Sequence, residues 1–196
     1  MNVCVFCGAN PGASLLHVST AQDLGKGLAE NRFGLVFGAG GAGIMGAVSD
    51  GALAAGGGGV IGVIPQPLLD REYGRSDLTD LRIVPNMHER KALMHELSHA
   101  FVVLPGGLGT LEEFFEVLTW RQLGLHHKPM IVLNADGYYT PLIDLLDHAV
   151  DQGFMTNTDR ALVTILDSVP EVLDHLAVHR NDLVAGGPVP NTEPAD

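Results

Sequence analysis

One glycine-rich turn in the sequence has the residue types that bind a phosphate group. It reads PGGLGT, from Pro105 to Thr110, and follows a predicted apolar strand at the start of a predicted helix. Gly107 and Gly109 carry no Cβ, so backbone N–H groups can converge on an anion there. The helix start adds unpaired N–H groups and partial positive charge, and Thr110 adds a hydroxyl. The turn therefore predicts a phosphate site; the alternative is a tight turn that needs glycine only for its shape.

The other glycine motif does not make the chain a typical dinucleotide-binding dehydrogenase. GAGGAGIMG contains G-x-G-x-x-G at Gly38, Gly40 and Gly43. It follows the second predicted strand, and no acidic residue ends a strand about 20 residues later, as that class of enzyme requires. PGGLGT is not a Walker loop either, because it lacks the lysine of that motif.

Charged residues on two predicted helices have chemistry that suits a phosphorylated sugar. Thr110 and Glu113 form T-x-x-E, which is typical of a capping box, but the Glu113 carboxylate could instead lie beside the ligand. Glu116 lies one turn further along the same face, as a second ligand contact or as a solvated carboxylate. Arg90 and Lys91 begin a helix, where the dipole disfavours cations. A ligand phosphate or Glu113 would explain them; a solvated basic pair is the alternative.

A third motif resembles a zinc site. HELSH, from His95 to His99, matches H-E-x-x-H, which on a helix places both histidines on one face. The strand AFVVL follows directly, so the helix must end too early, and no third-ligand pattern follows. We therefore predict no metal site. His126 and His127 are expected to cap a helix end or to face solvent.

Composition and charge restrict the partners and the compartment. Acidic residues outnumber basic ones 23 to 11, for a net charge of −12, which argues against nucleic-acid and anionic-membrane binding. Cys4 and Cys7 form C-x-x-C, but Cys4 lies in a predicted strand and no helix follows it as a redox site needs. With no signal peptide and no apolar stretch of about 18 residues, we expect a cytoplasmic protein.

The predicted elements alternate between strand and helix. Such an order with unbroken apolar strands indicates an α/β fold, a Rossmann-like doubly wound parallel sheet in a single domain over 1–180, with a flexible tail over 181–196. We expect 66–86 to be an irregular lid or rim. Three glycine-rich turns that follow strands, CGANPG, GAGGAG and PGGLGT, should meet at the carboxyl edge of the sheet. The strands are predicted at 2–6, 33–37, 59–64, 100–104, 130–134 and 162–166, and the helices at 14–30, 44–55, 87–98, 110–122, 139–150 and 170–179.

These motifs together resemble the LONELY GUY (LOG) family of cytokinin-activating phosphoribohydrolases, whose members are often mislabelled lysine decarboxylases. The family signature P-G-G-x-G-T-x-x-E is matched from Pro105 to Glu113, with the Arg-Lys pair of HERK (88–91) upstream. CVFCGANPG, GIMG with GVIP, and FFEVLTWRQLGLHHKPMIVLN extend the resemblance over about residues 2–175. The chain departs from the family at Ala39, where glycine is frequent, at Ala9-Asn10, where serine is frequent, and at His99, where an acidic residue is common.

The resemblance implies hydrolysis of the N-glycosidic bond of an adenosine 5′-monophosphate, usually with an isoprenoid group on its exocyclic amine. The products would be the free base and ribose 5-phosphate. Glu113 would stabilise the oxocarbenium-like sugar and position water, and Arg90 would hold Glu113 or the ribose phosphate. No metal or redox cofactor is implied. The predicted binding residues are Gly107, Gly109, Thr110, Lys91, Gly40, Gly43 and Glu116.

The resemblance also implies a homodimer with active sites near the interface. The predicted helix 110–122 is apolar on more than one face, which suits burial on both sides; packing of one face on the core is the alternative. The apolar residues are Phe114, Phe115, Leu118 and Trp120.

Two other functions remain open at this stage. A carrier of a nucleotide or a pterin cofactor could have the same sheet and glycine turn, although pure binding would not require Arg90 together with Glu113. An AMP hydrolase without isoprenoid preference is a nearer alternative. Lysine decarboxylation is disfavoured, because the usual pyridoxal-phosphate mechanism needs a Schiff-base lysine and none of the three lysines stands out as one.

Overall fold

The structure is a computed structural model that describes residues 1–69, 74–75 and 77–184. Its described strands form one parallel sheet with the order β4-β3-β2-β1-β5-β6-β7. The strands are β1 Asn2–Phe6, β2 Gly34–Phe37, β3 Val60–Pro65, β4 Asp80–Val84, β5 Ala100–Val103, β6 Met130–Leu133 and β7 Val163–Leu166. The helices are α1 Leu15–Glu30, α2 Gly43–Ala55, α3 Gln66–Leu69, α4 Met87–Leu97, α5 Leu108–Gln122, α6 Thr140–Asp151, α7 Asn157–Arg160 and α8 Val169–Val184, with a 3₁₀ turn at Ala135–Gly137.

Alternate residues of the central strands face two separate cores. In β1, Val3 and Val5 pack against the face covered by α1, α2 and α8, whereas Cys4 and Phe6 pack against the face covered by α4 and α5. A fully buried apolar side chain contributes roughly 2 kcal/mol, so burial on both faces stabilises this sheet. The predicted doubly wound parallel sheet is therefore confirmed.

Most predicted elements agree with the structure to within two residues, but the segment 66–86 does not. We predicted it to be irregular, and the structure contains α3 and the edge strand β4 there, with β4 paired to β3. The sequence DLRIV gives little indication of a strand because an edge strand is half exposed and carries Asp80 and Arg82. Residues 70–73 and 76 of the predicted rim lie outside the described residues.

The C-terminal helix is longer than predicted. It was expected to end at residue 179, with a flexible tail from 181, but α8 continues to Val184. Residues 185–196 of the predicted tail lie outside the described residues. Within the described ranges, none of the helices is long and apolar enough to cross a membrane.

The two histidines of HELSH are separated in the fold. Helix α4 ends at Leu97, and His99 accepts a hydrogen bond at Nδ1 from the backbone N–H of Asn2, at 3.1 Å. His95 instead stacks on Phe101 at 5.7 Å between ring centroids, with the Trp120 ring edge-on to it. In the part of the chain that the structure describes, no group of three possible metal ligands is present.

The expectation for His126 was wrong, because this residue is buried. Its ring lies 4.9 Å from the ring of His95, and its Nε2 is 2.9 Å from the carbonyl of Val117, inside α5 rather than at its end. His127 is exposed, as expected.

We expect His95 to make the protein less stable in acid. Burial, with help from Lys128 and His126, lowers the pKa of His95 from 6.5 to about 4. Below pH 6.5, His95 therefore takes up a proton more readily in the unfolded chain than in the folded protein. The free energy of unfolding falls as the pH decreases towards 4. The wild type should lose unfolding free energy between pH 7 and pH 4.5, and we expect His95→Phe to remove about 2 kcal/mol of that loss. This is less than the full pKa shift would give, because water reaches part of the ring.

Urea denaturation at the two pH values measures this effect, with the exposed His88→Phe on the same helix as the control. If His95→Phe and the wild type lose the same unfolding free energy between the two pH values, His95 does not cause the loss.

Candidate active site

The site lies where the order of the strands reverses. β1 and β5 are neighbours, with Phe6 opposite Val103, and the chain then proceeds to opposite edges of the sheet from these two strands. In open α/β sheets the crevice at this switch point binds ligands. A cavity of about 660 Å³ is found there, lined by residues 7–13, His17, Ile44, Met45, Leu68, Met87, Arg90, Pro105, Gly106, Gly107, Gly109, Thr110, Glu112, Glu113 and Tyr138.

The phosphate turn forms one wall of this cavity. Helix α5 begins at Leu108 with Gly107 as its N-cap, so the first N–H groups of the helix start at the cavity wall. A Cβ on Gly106 would overlap the hydroxyl oxygen of Thr110, so the turn closes tightly against its own helix. Thr110 is the third residue of α5 rather than its cap, and the capping-box interpretation of Thr110 with Glu113 is wrong.

Glu113 lies in the second turn of α5 and lines the cavity with only 7% of its surface exposed. Two thiols lie close to it. Burial first, and the Glu113 charge second, raise the pKa of Cys4 and Cys7 well above their ordinary value. The raised pKa favours the neutral thiol, which is a poorer nucleophile than the thiolate. Both are unpaired in the described residues.

Arg90 is the most buried charged residue that lines the cavity, with 3% exposed. Its Nη2 donates to the carbonyl of Gly38 at 3.1 Å, and its Nη1 lies 3.7 Å from the sulfur of Met87. Its buried Nε has no hydrogen-bond partner in the described part of the chain. A Cβ on Gly38 would overlap the guanidinium, so glycine is required there for Arg90 to reach this position.

Arg90 and Glu113 act on the same two thiols. Glu113 raises the pKa of Cys4 and of Cys7, and Arg90 lowers it by a smaller amount. Opposite charges on α4 and α5 therefore flank the carboxyl end of β1, where Cys7 lines the cavity. A buried cation and a buried carboxylate that line one cavity with the phosphate turn can stabilise charge in a reacting sugar phosphate.

Lys91, which was predicted to bind the substrate, instead contacts two carboxylates of α5. Its Nζ lies 2.5 Å from Glu112 Oε1 and 3.0 Å from Glu116 Oε1. Burial opposes its charge, but the hydrogen bonds to Glu112 and Glu116 outweigh this and raise the pKa of Lys91. Neither Lys91 nor Glu116 lines the cavity. The pair joins α4 to α5, the two helices that carry Arg90 and Glu113.

The second glycine turn, GAGGAG, packs against the first turn of the site. Gly40 and Gly43 do not line the cavity. Gly43 has φ +60°, and a Cβ there would overlap the carbonyl of Ala9, so it allows the first turn to pack against α2. Ala39 is fully buried at φ 61°, a conformation that glycine adopts without the cost of about 1 kcal/mol that alanine incurs.

Comparison with known proteins agrees with this geometry. The family profile described as "Possible lysine decarboxylase" matches residues 45–176. The cytokinin riboside 5′-monophosphate phosphoribohydrolase of Rhodococcoides fascians is 45% identical over 169 residues, 86% of this chain and 85% of that protein. One from Arabidopsis thaliana is 44% identical over 174 residues, 89% of this chain and 80% of that protein. This chain belongs to the LONELY GUY family. All six fixed residues of its LONELY GUY signature, from Pro105 to Glu113, line the cavity.

Solved structures of proteins with lower sequence identity share the fold. The molybdenum cofactor binding protein of Rippkaea orientalis has a TM-score of 0.67 at 22% identity and covers 91% of this chain and 96% of its own. The molybdenum cofactor carrier protein of Chlamydomonas reinhardtii has a TM-score of 0.67 at 20% identity, over 92% of this chain and 98% of its own. At these identities the likeness shows the fold of the LONELY GUY chain and no more.

The structure brings together five of the nine predicted site residues. Arg90, Gly107, Gly109, Thr110 and Glu113 line one cavity. Sequence reasoning missed several others. The first turn, CGANPG, was predicted at this edge of the sheet, which was a signal for residues 8–12. Pro105 and Gly106 belong to the predicted phosphate turn. No signal was recognised for the remaining ones, which are Cys7, Ala13, His17, Ile44, Met45, Leu68, Met87, Glu112 and Tyr138.

Proposed function

We propose that this chain hydrolyses the N-glycosidic bond of an adenosine 5′-monophosphate with an isoprenoid substituent, and releases the free base and ribose 5-phosphate. The observation that carries the proposal is the pair of buried opposite charges, Arg90 and Glu113, beside a glycine-rich turn in one cavity. Relatives that are named for this activity are 43–46% identical over most of the chain, which supports the same chemistry.

The roles follow from what each group can do. The N–H groups of Gly107 and Gly109 and the Thr110 hydroxyl bind the 5′-phosphate at the start of α5. As the bond from C1′ to the base nitrogen breaks, its electron pair leaves with the base and the sugar becomes oxocarbenium-like. Glu113 stabilises this positive charge and orients a water molecule, which adds to C1′. The water provides one proton to the departing base and its oxygen to ribose 5-phosphate.

Arg90 lines the same cavity from α4. Its guanidinium is fixed by the Gly38 carbonyl, and its Nε–H has no acceptor among the residues that the structure describes. It holds either the ribose phosphate or the Glu113 carboxylate, since both are anions to which a guanidinium donates well. Lys91 and Glu116 contribute indirectly by joining α4 to α5.

An apolar portion of the cavity favours the substituted nucleotide over AMP. Four apolar residues line the cavity, namely Ile44, Met45, Leu68 and Met87. An apolar group on the exocyclic amine would remove these side chains from water, at roughly 25 cal/mol for each Å² buried. The alternative function, a cofactor carrier, is supported only by the fold that the chain shares with cofactor-binding proteins. The relatives named as hydrolases and the presence of both Arg90 and Glu113 favour hydrolysis.

The proposal includes a homodimer that acts in the cytoplasm, without nucleic-acid or membrane partners. Helix α5 packs Phe114 and Leu118 into the core and leaves Leu108, at 87% exposed, and Phe115 on its outer side. A second copy would cover these residues, and sedimentation velocity should then give the mass of two chains. Unpaired Cys4 and Cys7 suit a reducing compartment, and the net charge of −12 disfavours polyanion binding.

Chromatography of the released base tests the function. Purified protein is incubated with isopentenyladenosine 5′-monophosphate, with AMP, and with isopentenyladenosine, which lacks the phosphate. We expect base from the first, less from AMP, and far less from the nucleoside, because the nucleoside leaves the phosphate turn unused. Tight nucleotide binding without any base would favour the carrier; equal rates for the first two substrates would favour the general AMP hydrolase.

A further inference from the structure

Three successive carbonyl groups, that of Leu104 just before the phosphate turn and the first two of the turn itself, are each fixed by a donor from elsewhere in the chain. The hydroxyl of Tyr139 donates to the carbonyl of Leu104 at 2.7 Å. The N–H of Gly8 donates to the carbonyl of Pro105 at 3.0 Å. The hydroxyl of Tyr138 donates to the carbonyl of Gly106 at 2.6 Å.

This arrangement determines where the turn can present its N–H groups. In a planar trans peptide the C=O and the following N–H point in opposite directions. The Gly106 and Gly107 N–H groups are therefore directed away from the donors that hold the carbonyls of Pro105 and Gly106. Both residues line the cavity, and across the described residues neither N–H has a hydrogen-bond acceptor. They are available to an anion.

The two tyrosines have different surroundings. Tyr139 is 2% exposed, and its hydroxyl needs a partner because it is buried. Tyr138 is 42% exposed and lines the cavity, so water could satisfy its hydroxyl. Its ring is nonetheless held edge-on to His17, at 5.5 Å between centroids, and edge-on to Tyr139, at 4.8 Å. The hydroxyl is thus preorganised on the Gly106 carbonyl.

We propose that Tyr138 is a positioning residue for the 5′-phosphate. By holding the Gly106 carbonyl it fixes the Gly106–Gly107 peptide with its N–H available to the phosphate. It acts on phosphate affinity and not on bond cleavage. The inference rests on the proposed function only in that this turn binds the phosphate of the substrate.

Calorimetric binding of ribose 5-phosphate and of free adenine tests the inference, because neither ligand requires turnover. Tyr138→Phe retains the ring contacts and removes the one hydrogen bond. We expect its Kd for ribose 5-phosphate to rise about tenfold, as for the loss of one preorganised hydrogen bond. Its Kd for adenine should be unchanged. In turnover assays the same variant should raise KM for the nucleotide and leave kcat nearly constant.

Tyr139→Phe is the matched control. It also removes a hydroxyl from a carbonyl, that of Leu104 just before the turn, but the Leu104–Pro105 peptide has no N–H to orient. We expect a lower melting temperature, because a buried carbonyl loses its partner, and a much smaller change in affinity for ribose 5-phosphate than in Tyr138→Phe.

Three results would overturn the inference: an unchanged Kd for ribose 5-phosphate in Tyr138→Phe, equal losses for adenine and ribose 5-phosphate, or no binding of ribose 5-phosphate by the wild type. A wild-type protein that binds ribose 5-phosphate but releases no base would refute the proposed hydrolysis alone. In that protein, a selective loss in Tyr138→Phe would still support the role of Tyr138.

Discussion

Glu113→Gln is expected to lower kcat by about 10²–10⁴-fold, the range for the loss of a general acid–base group. The amide has the same shape as the carboxylate but carries no negative charge, so it cannot stabilise an oxocarbenium-like sugar or accept a proton from water. Affinity for the nucleotide should change little, because the phosphate turn is intact. Single-turnover base release gives the rate, and calorimetry gives the affinity.

Glu96→Gln is a matched control for this substitution. Glu96 is exposed on α4 and does not line the cavity, so kcat should be unchanged. Melting curves of both variants separate a loss of chemistry from a loss of fold, since Glu113 is buried. Wild-type turnover in Glu113→Gln would remove the carboxylate from the mechanism.

Arg90→Lys is expected to have the second largest effect, a fall in kcat/KM of about 10²–10³-fold, comparable to the loss of one preorganised electrostatic donor. Lysine retains the charge but presents a single ammonium on a flexible stem. It cannot bond the Gly38 carbonyl and hold an anion in the cavity with the geometry of the guanidinium. Steady-state kinetics with the substituted nucleotide measure the change.

The same kinetics separate the two possible anions for Arg90. A fall in kcat with a steady KM indicates that Arg90 orients Glu113, whereas a rise in KM indicates that it binds the ribose phosphate. Arg82→Lys, on the exposed edge strand β4, is the control and should retain wild-type values. An Arg90→Lys variant within about twofold of wild type would mean that a charge at this position suffices, and the role given to the guanidinium geometry would be wrong.

The parts of the site that sequence predicts are local in the chain. Gly107, Gly109 and Thr110 follow a strand and begin a helix, and their chemistry depends on that junction alone. The sheet itself follows from apolar strands that alternate with amphipathic helices. Glu113 was one of two anions that the residues suggested for Arg90, and the family resemblance kept both. Helices α4 and α5, which flank β5 in the chain, place Arg90 and Glu113 in one cavity.

The parts that sequence does not predict depend on rotation about a helix or on distant contacts. Arg90 and Lys91 are adjacent, so they differ by about 100° around the axis of α4, and only one of them faces the cavity. Gly43 was expected beside the nucleotide, but it packs on Ala9 from a turn 34 residues away in the chain. Tyr138 reaches the phosphate turn because β6 lies beside β5, and a pattern of two tyrosines after a strand does not reveal that neighbour.

The most direct test of the central claim is a ³¹P NMR time course of the protein with isopentenyladenosine 5′-monophosphate, with the free base quantified in the same samples. The proposed mechanism predicts that the nucleotide signal is replaced by that of ribose 5-phosphate, one equivalent for each equivalent of base. A nucleotide that is bound but remains unchanged throughout would contradict hydrolysis and identify the protein as a carrier.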